Sequence, residues 1–184
     1  MPDAHTAPAI VIHCDGACSN NQQRENRGGW GAILLSSGRS KEISGAERNT
    51  SNNRMELLAC IAGLSALPPS IPAVLYSDSS YAVNGIAKGW AKRWQSRGWL
   101  RTKTEKAENI DLWERLLALC ALRPVEFRWV KGHAGHPDNE RCDVLAARAV
   151  TRLAVDSGLG PRGPVGVGLE VVVCRQLADM TAVT

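Results

Sequence analysis

The chain has no long apolar run, no CxxC cysteine pair, and no Lys or Arg ahead of its first hydrophobic stretch, Ile10 to Ile12. Each absence excludes a class of protein. A membrane-spanning helix needs about 20 consecutive apolar residues, and a signal peptide needs a basic start and a longer apolar core. With neither in view, a cytoplasmic, soluble protein is expected. The six cysteines (Cys14, Cys18, Cys60, Cys120, Cys142, Cys174) are scattered, and without a secretion signal they read as reduced thiols rather than a disulfide framework. Cys14, Cys60 and Cys120 lie among apolar neighbours and are expected in the core. No internal repeat is visible. At 184 residues, 44% hydrophobic and 22% charged, the chain has room for one domain with a proper core and is short for two.

The net charge is only +4, but it is unevenly spread. Residues 88–106 hold Lys88, Lys92, Arg93, Arg97, Arg101, Lys103 and Lys106 against the single acid Glu105. That segment alone exceeds the charge of the whole chain, so the remainder is slightly acidic. A solvated helix face can have this composition. Trp90, Trp94 and Trp99 fall in the same segment, however, and they are half of the six tryptophans. Cations grip phosphates while aromatic planes lie against sugars and bases, which favours nucleic acid as the partner.

Along the chain, residues 9–14 read as a buried strand ending at Asp15, followed by a polar loop over 16–27. Residues 29–36 form a second strand, and Gly38-Arg39 turns it into a third around Lys41 to Ser44. Capping residues from Thr50 to Asn53 open a helix with Met55, Leu58, Ala59, Ala62 and Leu67 at helical spacing, closed by Pro68-Pro69. Residues 73–77 make a fourth strand ending at Asp78, and Ser79 or Ser80 caps the helix after it. Asn109 is placed to cap a helix over Leu112 to Leu119. Pro124 introduces a fifth strand, 125–130, and a last helix starts near Asp138. The pattern βββαβα, further helices, then βα predicts an α/β fold, a mixed sheet with helices on both faces. From residue 156 the composition shifts to five glycines and two prolines in thirteen positions, a linker composition. The domain is therefore expected over 1–155, with 156–184 an extension of unknown role containing the β-prone run Leu169 to Cys174.

Two strands end in aspartate, Asp15 and Asp78. Acids at the C-terminal ends of strands point into the crevice where such sheets bind ligands. If the strands are neighbours, the two carboxylates repel unless protonated or bridged by a cation, and hard oxygen donors suit Mg²⁺ or Mn²⁺. Each could equally start a turn. Glu56 borders the apolar side of its helix, where an acid is costly unless paired or metal-bound, though an exposed first-turn acid would look the same. Asp143 is open to both readings. The loop 131–136 (KGHAGH) carries His133 and His136, in a setting that suits reactive groups. Zinc bound by His133, His136 and Cys142 would lack both a known spacing and a fourth ligand.

Five strings together resemble type I ribonuclease H: DGAC at 15–18, GGWGAIL at 28–34, SNNRMEL at 51–57, SDSSY at 77–81 and VKGHAGHPDNERCD at 130–143. They span about residues 9–154 in the family's order. The resemblance implies the ribonuclease H-like fold with a five-stranded mixed sheet. It also implies a monomeric endonuclease cutting the RNA strand of RNA–DNA hybrids and leaving 5′-phosphate and 3′-hydroxyl ends. It assigns Asp15, Glu56, Asp78 and Asp143 as ligands of two Mg²⁺ ions, with Mn²⁺ a possible substitute, and His133 as the catalytic-loop histidine. One ion would activate water and the other would stabilise the leaving 3′ oxygen. Gly16, Ala17, Cys18 and Asn52 would contact RNA riboses, since the 2′-hydroxyl separates RNA from DNA, and Asn53 would lie in the minor groove. Ser51 and Asn109 would hold a DNA phosphate. The basic segment, with Trp90, Lys92, Arg93 and Trp94, would track the DNA backbone.

The loop after Asp15 (SNNQQRENR) departs from the family by about three extra residues. Asn21 there would stand in for an RNA-contacting asparagine, and Ser80 replaces a longer glutamine. A non-catalytic binder on the same scaffold would keep four repelling acids for no gain. A related strand transferase would not explain the basic tryptophan segment together with SNNRMEL.

Overall fold

The structure, a computed structural model, describes residues 10–19, 26–132 and 134–156. The elements are β1 (Ile10–Ser19), β2 (Arg27–Ser36), β3 (Arg39–Arg48), α1 (Asn52–Ser65), β4 (Ala73–Ser77), α2 (Ser80–Ala87), α3 (Trp90–Ser96), α4 (Ile110–Ala121), β5 (Val125–Trp129) and α5 (Pro137–Asp156). They form one five-stranded sheet in the order β3-β2-β1-β4-β5. β2 runs antiparallel to β1 and β3, while β1, β4 and β5 are parallel. The expected α/β architecture is therefore present in the expected element order.

Helices cover both faces. On one side Ile12, Cys14, Leu75 and Phe127 of the strands meet α1 and α4 in the main core, through Leu57, Ile61, Leu64, Leu112 and Leu116. On the other, α5 lies across β1, β2 and β3 over a smaller cluster of Ile33, Cys142 and Leu145. α5 can approach this closely because Gly31 has no side chain: a Cβ there would overlap the Cys142 carbonyl. A bidentate Arg141–Glu42 pair at 2.8 Å clips α5 to the edge strand β3.

Several boundaries differ from those read in the sequence. β1 does not stop at Asp15. It continues to Ser19, with Gly16 opposite Trp30 and Ser19 opposite Arg27, so the connecting loop is much shorter than 16–27. Polar residues hid this continuation, which is held by β2 pairing rather than by burial. β3 likewise extends over Arg39–Arg48. α1 is buried on most sides, Leu57, Cys60 and Ile61 included, because it is sandwiched between the sheet and α4. Ser79, not Ser80, caps α2, accepting from the Ala82 N–H at 3.1 Å. Asn109 does stand at the start of α4, but in the left-handed region (φ 54°) and without a side-chain cap hydrogen bond. Cys14 and Cys60 are fully buried and in thiol contact at 3.6 Å, whereas Cys120 is only partly buried. Among the described residues no helix is long and apolar enough to cross a membrane. The residues 157–184, with the β-prone run Leu169 to Cys174, lie outside those described.

Candidate active site

Parallel pairing of β1 and β4 sets His13 beside Tyr76, and two residues further along each strand come Asp15 and Asp78. Glu56 arrives from the second turn of α1 and Asp143 from α5. The four acids line one cleft together with Gly16, Ala17 and Asn52. The two acids whose roles the residues alone left open are thus brought to the two at the strand ends.

The cleft floor is tight. Gly16 lies against α1 so closely that a Cβ would overlap the backbone of Met55 and Glu56. Its N–H donates to Asp15 Oδ1 at 2.7 Å. The Asn52 side chain bridges the two elements: its Oδ1 accepts from the Cys18 N–H at 3.0 Å, and its Nδ2 donates to Glu56 Oε1 at 3.2 Å. Ser79 donates to Glu56 Oε2 at 2.5 Å. The sequence marked Ser79 only as a cap, and nothing in its spacing linked it to Glu56.

The electrostatics follow from burial and crowding. Burial, then the charges of Asp78, Asp143 and Glu56, pushes the Asp15 carboxyl up to about 7, against the pull of the Gly16 N–H. Burial also raises Glu56, opposed by the Ser79 hydroxyl and reinforced by Asp78. A site of this kind gains by taking up protons or a cation. Among the described residues no three acidic, imidazole or thiol groups converge tightly enough to encage one ion alone. The set suits a small hard cation that takes one or two carboxylates and fills its remaining positions with water and phosphate oxygens, as Mg²⁺ does.

The other expected residues among those described fall on or next to α1, α2, α3 and α4. Ser51 caps α1, its hydroxyl accepting from the Arg54 N–H, and Asn53 is half-buried in the first turn of that helix. Arg54 in turn pairs with Asp111 at the start of α4, at 2.8 Å, linking the Ser51 end of α1 to Asn109. Ser80 is exposed on the first turn of α2. In the basic segment, Lys92 and Arg93 are exposed on α3, Lys88 lies 5.5 Å over the Trp90 ring, and Arg93 donates to the Lys88 carbonyl. Trp94 is different: it meets Trp113 edge-on at 5.8 Å and packs against the main core. Asn21 and His133 lie outside the described residues.

The RNase H family model matches residues 7–151. The ribonuclease H of Desulforamulus reducens is 56% identical over 140 residues, covering 76% of this chain and 86% of its own. The ribonuclease HI of Synechocystis is 46% identical over 160 residues, 85% of this chain and 98% of its own. Among solved structures, LC9-RNase H1, described as a type 1 RNase H with the type 2 active-site motif, superposes with a TM-score of 0.70 at 30% identity, over 82% of this chain and 75% of that one. A foamy viral protease–reverse transcriptase shares the fold, with a TM-score of 0.66 at 15% identity over 78% of this chain and 20% of that one. A match this long, with relatives about half identical across most of their length, shows that the chain belongs to the ribonuclease H family, type I.

Proposed function

We propose that the protein is a metal-dependent endonuclease that hydrolyses the RNA strand of RNA–DNA hybrids, leaving 5′-phosphate and 3′-hydroxyl ends. The observation that carries this reading is the single cleft lined by Asp15, Glu56, Asp78 and Asp143, with the first of these pushed up to about 7 by burial and by its neighbours. The four carboxylates would hold two Mg²⁺ ions, with Mn²⁺ as a substitute. When bound, the ions supply the charge that activates a water and stabilises the departing 3′ oxygen.

The chain's own groups do the rest. Asn52 ties the Cys18 backbone to Glu56, so the wall that would read RNA 2′-hydroxyls and the acid beside the reacting phosphate are held in one register. Gly16, Ala17 and Cys18 present backbone to the ribose edge, and Asn53, Ser80 and Asn21 would add contacts along the groove. Ser51 and Asn109 would grip a phosphate of the DNA strand. Lys92, Arg93 and the Trp90 face would hold that strand further away. His133 would assist proton transfer or product departure. The protein is expected to act as a cytoplasmic monomer on hybrids such as replication primers and R-loops.

The test is cleavage of an end-labelled hybrid in Mg²⁺ beside double-stranded RNA and double-stranded DNA. Only the RNA strand of the hybrid should be cut, and Asp15→Asn should abolish cutting while circular dichroism stays unchanged. Equal cutting of duplex DNA, or activity surviving that substitution, would overturn the assignment.

A further inference from the structure

Asp78 is held by more than its place at the end of β4. Beyond the last residue of β5, the Val130 N–H continues the ladder to the Ser77 carbonyl at 3.0 Å. The neighbouring Trp129 indole N–H donates to the backbone carbonyl of Asp78 at 2.9 Å. From the other side, Asn139 in the first turn of α5 directs its Nδ2 to Asp78 Oδ2 at 3.4 Å. Gly132 closes the third side, where a Cβ would overlap that same oxygen.

Asn139 is the unexpected member. It is only 2% exposed, and the large majority of buried side-chain polar atoms have a hydrogen-bond partner. Its donor faces the carboxylate, the orientation charge dictates. Its Oδ1 is out of solvent contact and finds no donor among the described residues. Trp129 is the converse, 56% exposed, so burial does not explain its position, whereas the hydrogen bond to Asp78 gives its ring a fixed orientation. The two residues stand on either side of the 130–136 loop that carries His133.

We infer that Asn139 and Trp129 are positioning residues for Asp78: they fix its carboxylate and its backbone from both ends of the 130–136 loop, setting the geometry in which Asp78 takes a divalent cation. The inference rests on the metal site of the proposed function. Outer partners of metal-ligating carboxylates are worth roughly 10–100-fold in metal affinity or activity. Asn139, which meets the carboxylate itself, should lie within that range, and Trp129, which meets only the backbone, below it.

The direct test uses the wild-type protein. The side-chain amide signals of Asn139 are followed by NMR as Mg²⁺ is added without nucleic acid, alongside the carboxyl signals of the four acids. Asn139 should shift with the same saturation curve as Asp78. Carboxyl shifts with a still Asn139 would overturn the inference and leave the metal site standing. Silence at all four acids would instead remove the metal site. Asn139→Ala should weaken Mn²⁺ binding, measured by calorimetry, about tenfold and lower kcat with KM for hybrid unchanged. Asn139→Ser, which keeps a short donor, should recover part of both, and Trp129→Phe should lose less than Asn139→Ala. In an Asp78→Asn background Asn139→Ala should cost no further Mn²⁺ affinity. A fall in melting temperature with Mn²⁺ affinity and kcat unchanged would reduce Asn139 to a packing residue.

Discussion

An aspartate whose folded pKa stands near 7 against an ordinary 3.8 binds more protons folded than unfolded throughout that window. Stability contributed at Asp15 is therefore complete below about pH 4 and is lost as pH rises toward 7. Above 7 the ionised, crowded carboxylate carries its whole penalty, on the order of a few kcal/mol. Asp15→Asn keeps the shape and removes the charge. In metal-free protein the variant should melt close to wild type at pH 4 and several degrees above it at pH 8, since about 1 kcal/mol moves a chain of this size by roughly 2–4 °C. Mg²⁺ should narrow the gap at pH 8 by raising the wild type more than the variant. Melting curves in chelator and in Mg²⁺ check both points, and a gap independent of pH would remove the crowding argument. Glu56 is raised in the same direction but shares its charge with Ser79, so Glu56→Gln should show a smaller gap.

At the scale of elements, α3 sets its two tryptophans in different surroundings. Lys92 and Arg93 face solvent and the Trp90 ring sits under Lys88, whereas Trp94 is wedged against Trp113. Replacing Trp90, Lys92 and Arg93 together by Ala should raise KM severalfold with little change in kcat. It should also flatten the dependence of log KM on log salt, by roughly 0.7–0.9 for each of the two phosphates that Lys92 and Arg93 would neutralise. Trp94→Ala should instead cost about 2 kcal/mol of stability, seen as a lower denaturation midpoint, and affect KM only through that destabilisation. The same split shows what could be read from the sequence. Spacing marks a basic aromatic segment but does not tell which tryptophan turns inward, because Trp113, the partner that decides it, lies on α4, nineteen positions beyond Trp94. The ends of β1 were hidden for a similar reason, since Gly16 to Ser19 is strand only through pairing with Arg27 to Trp30. The four acids were legible individually as two strand ends and two ambiguous helix positions. What gathers them is the β1–β4 pairing and the opposite placement of α1 and α5, neither of which has a local signature. The contact of Ser79 with Glu56 and those of Trp129 and Asn139 with Asp78 were not legible, because they join residues 23, 51 and 61 positions apart.

For the whole molecule, both clusters of the core and all four acids fall within residues 10–156, and the family match ends at residue 151. α5 runs over the sheet to the far end of β3, where Arg48 donates to the Leu153 carbonyl at 3.2 Å. That hydrogen bond ties the helix to β3 close to its last turn. A chain cut after Asp156 should therefore keep its melting temperature within about 2 °C, a change of under about 1 kcal/mol, and its kcat/KM on hybrid within twofold. The contrary result has a definite physical origin available to it. Among the described residues β3 is an edge strand with no strand on its outer side, and an edge invites another strand. The twelve residues between Asp156 and Leu169 can span up to about 40 Å when extended, longer than a ten-residue strand. Leu169 to Cys174 could then add to β3 of the same chain or of a second copy. A melting temperature lowered by truncation and independent of protein concentration would indicate pairing within the chain. A concentration-dependent loss, with a larger species in sedimentation of the full chain, would indicate exchange between copies and displace the expected monomer.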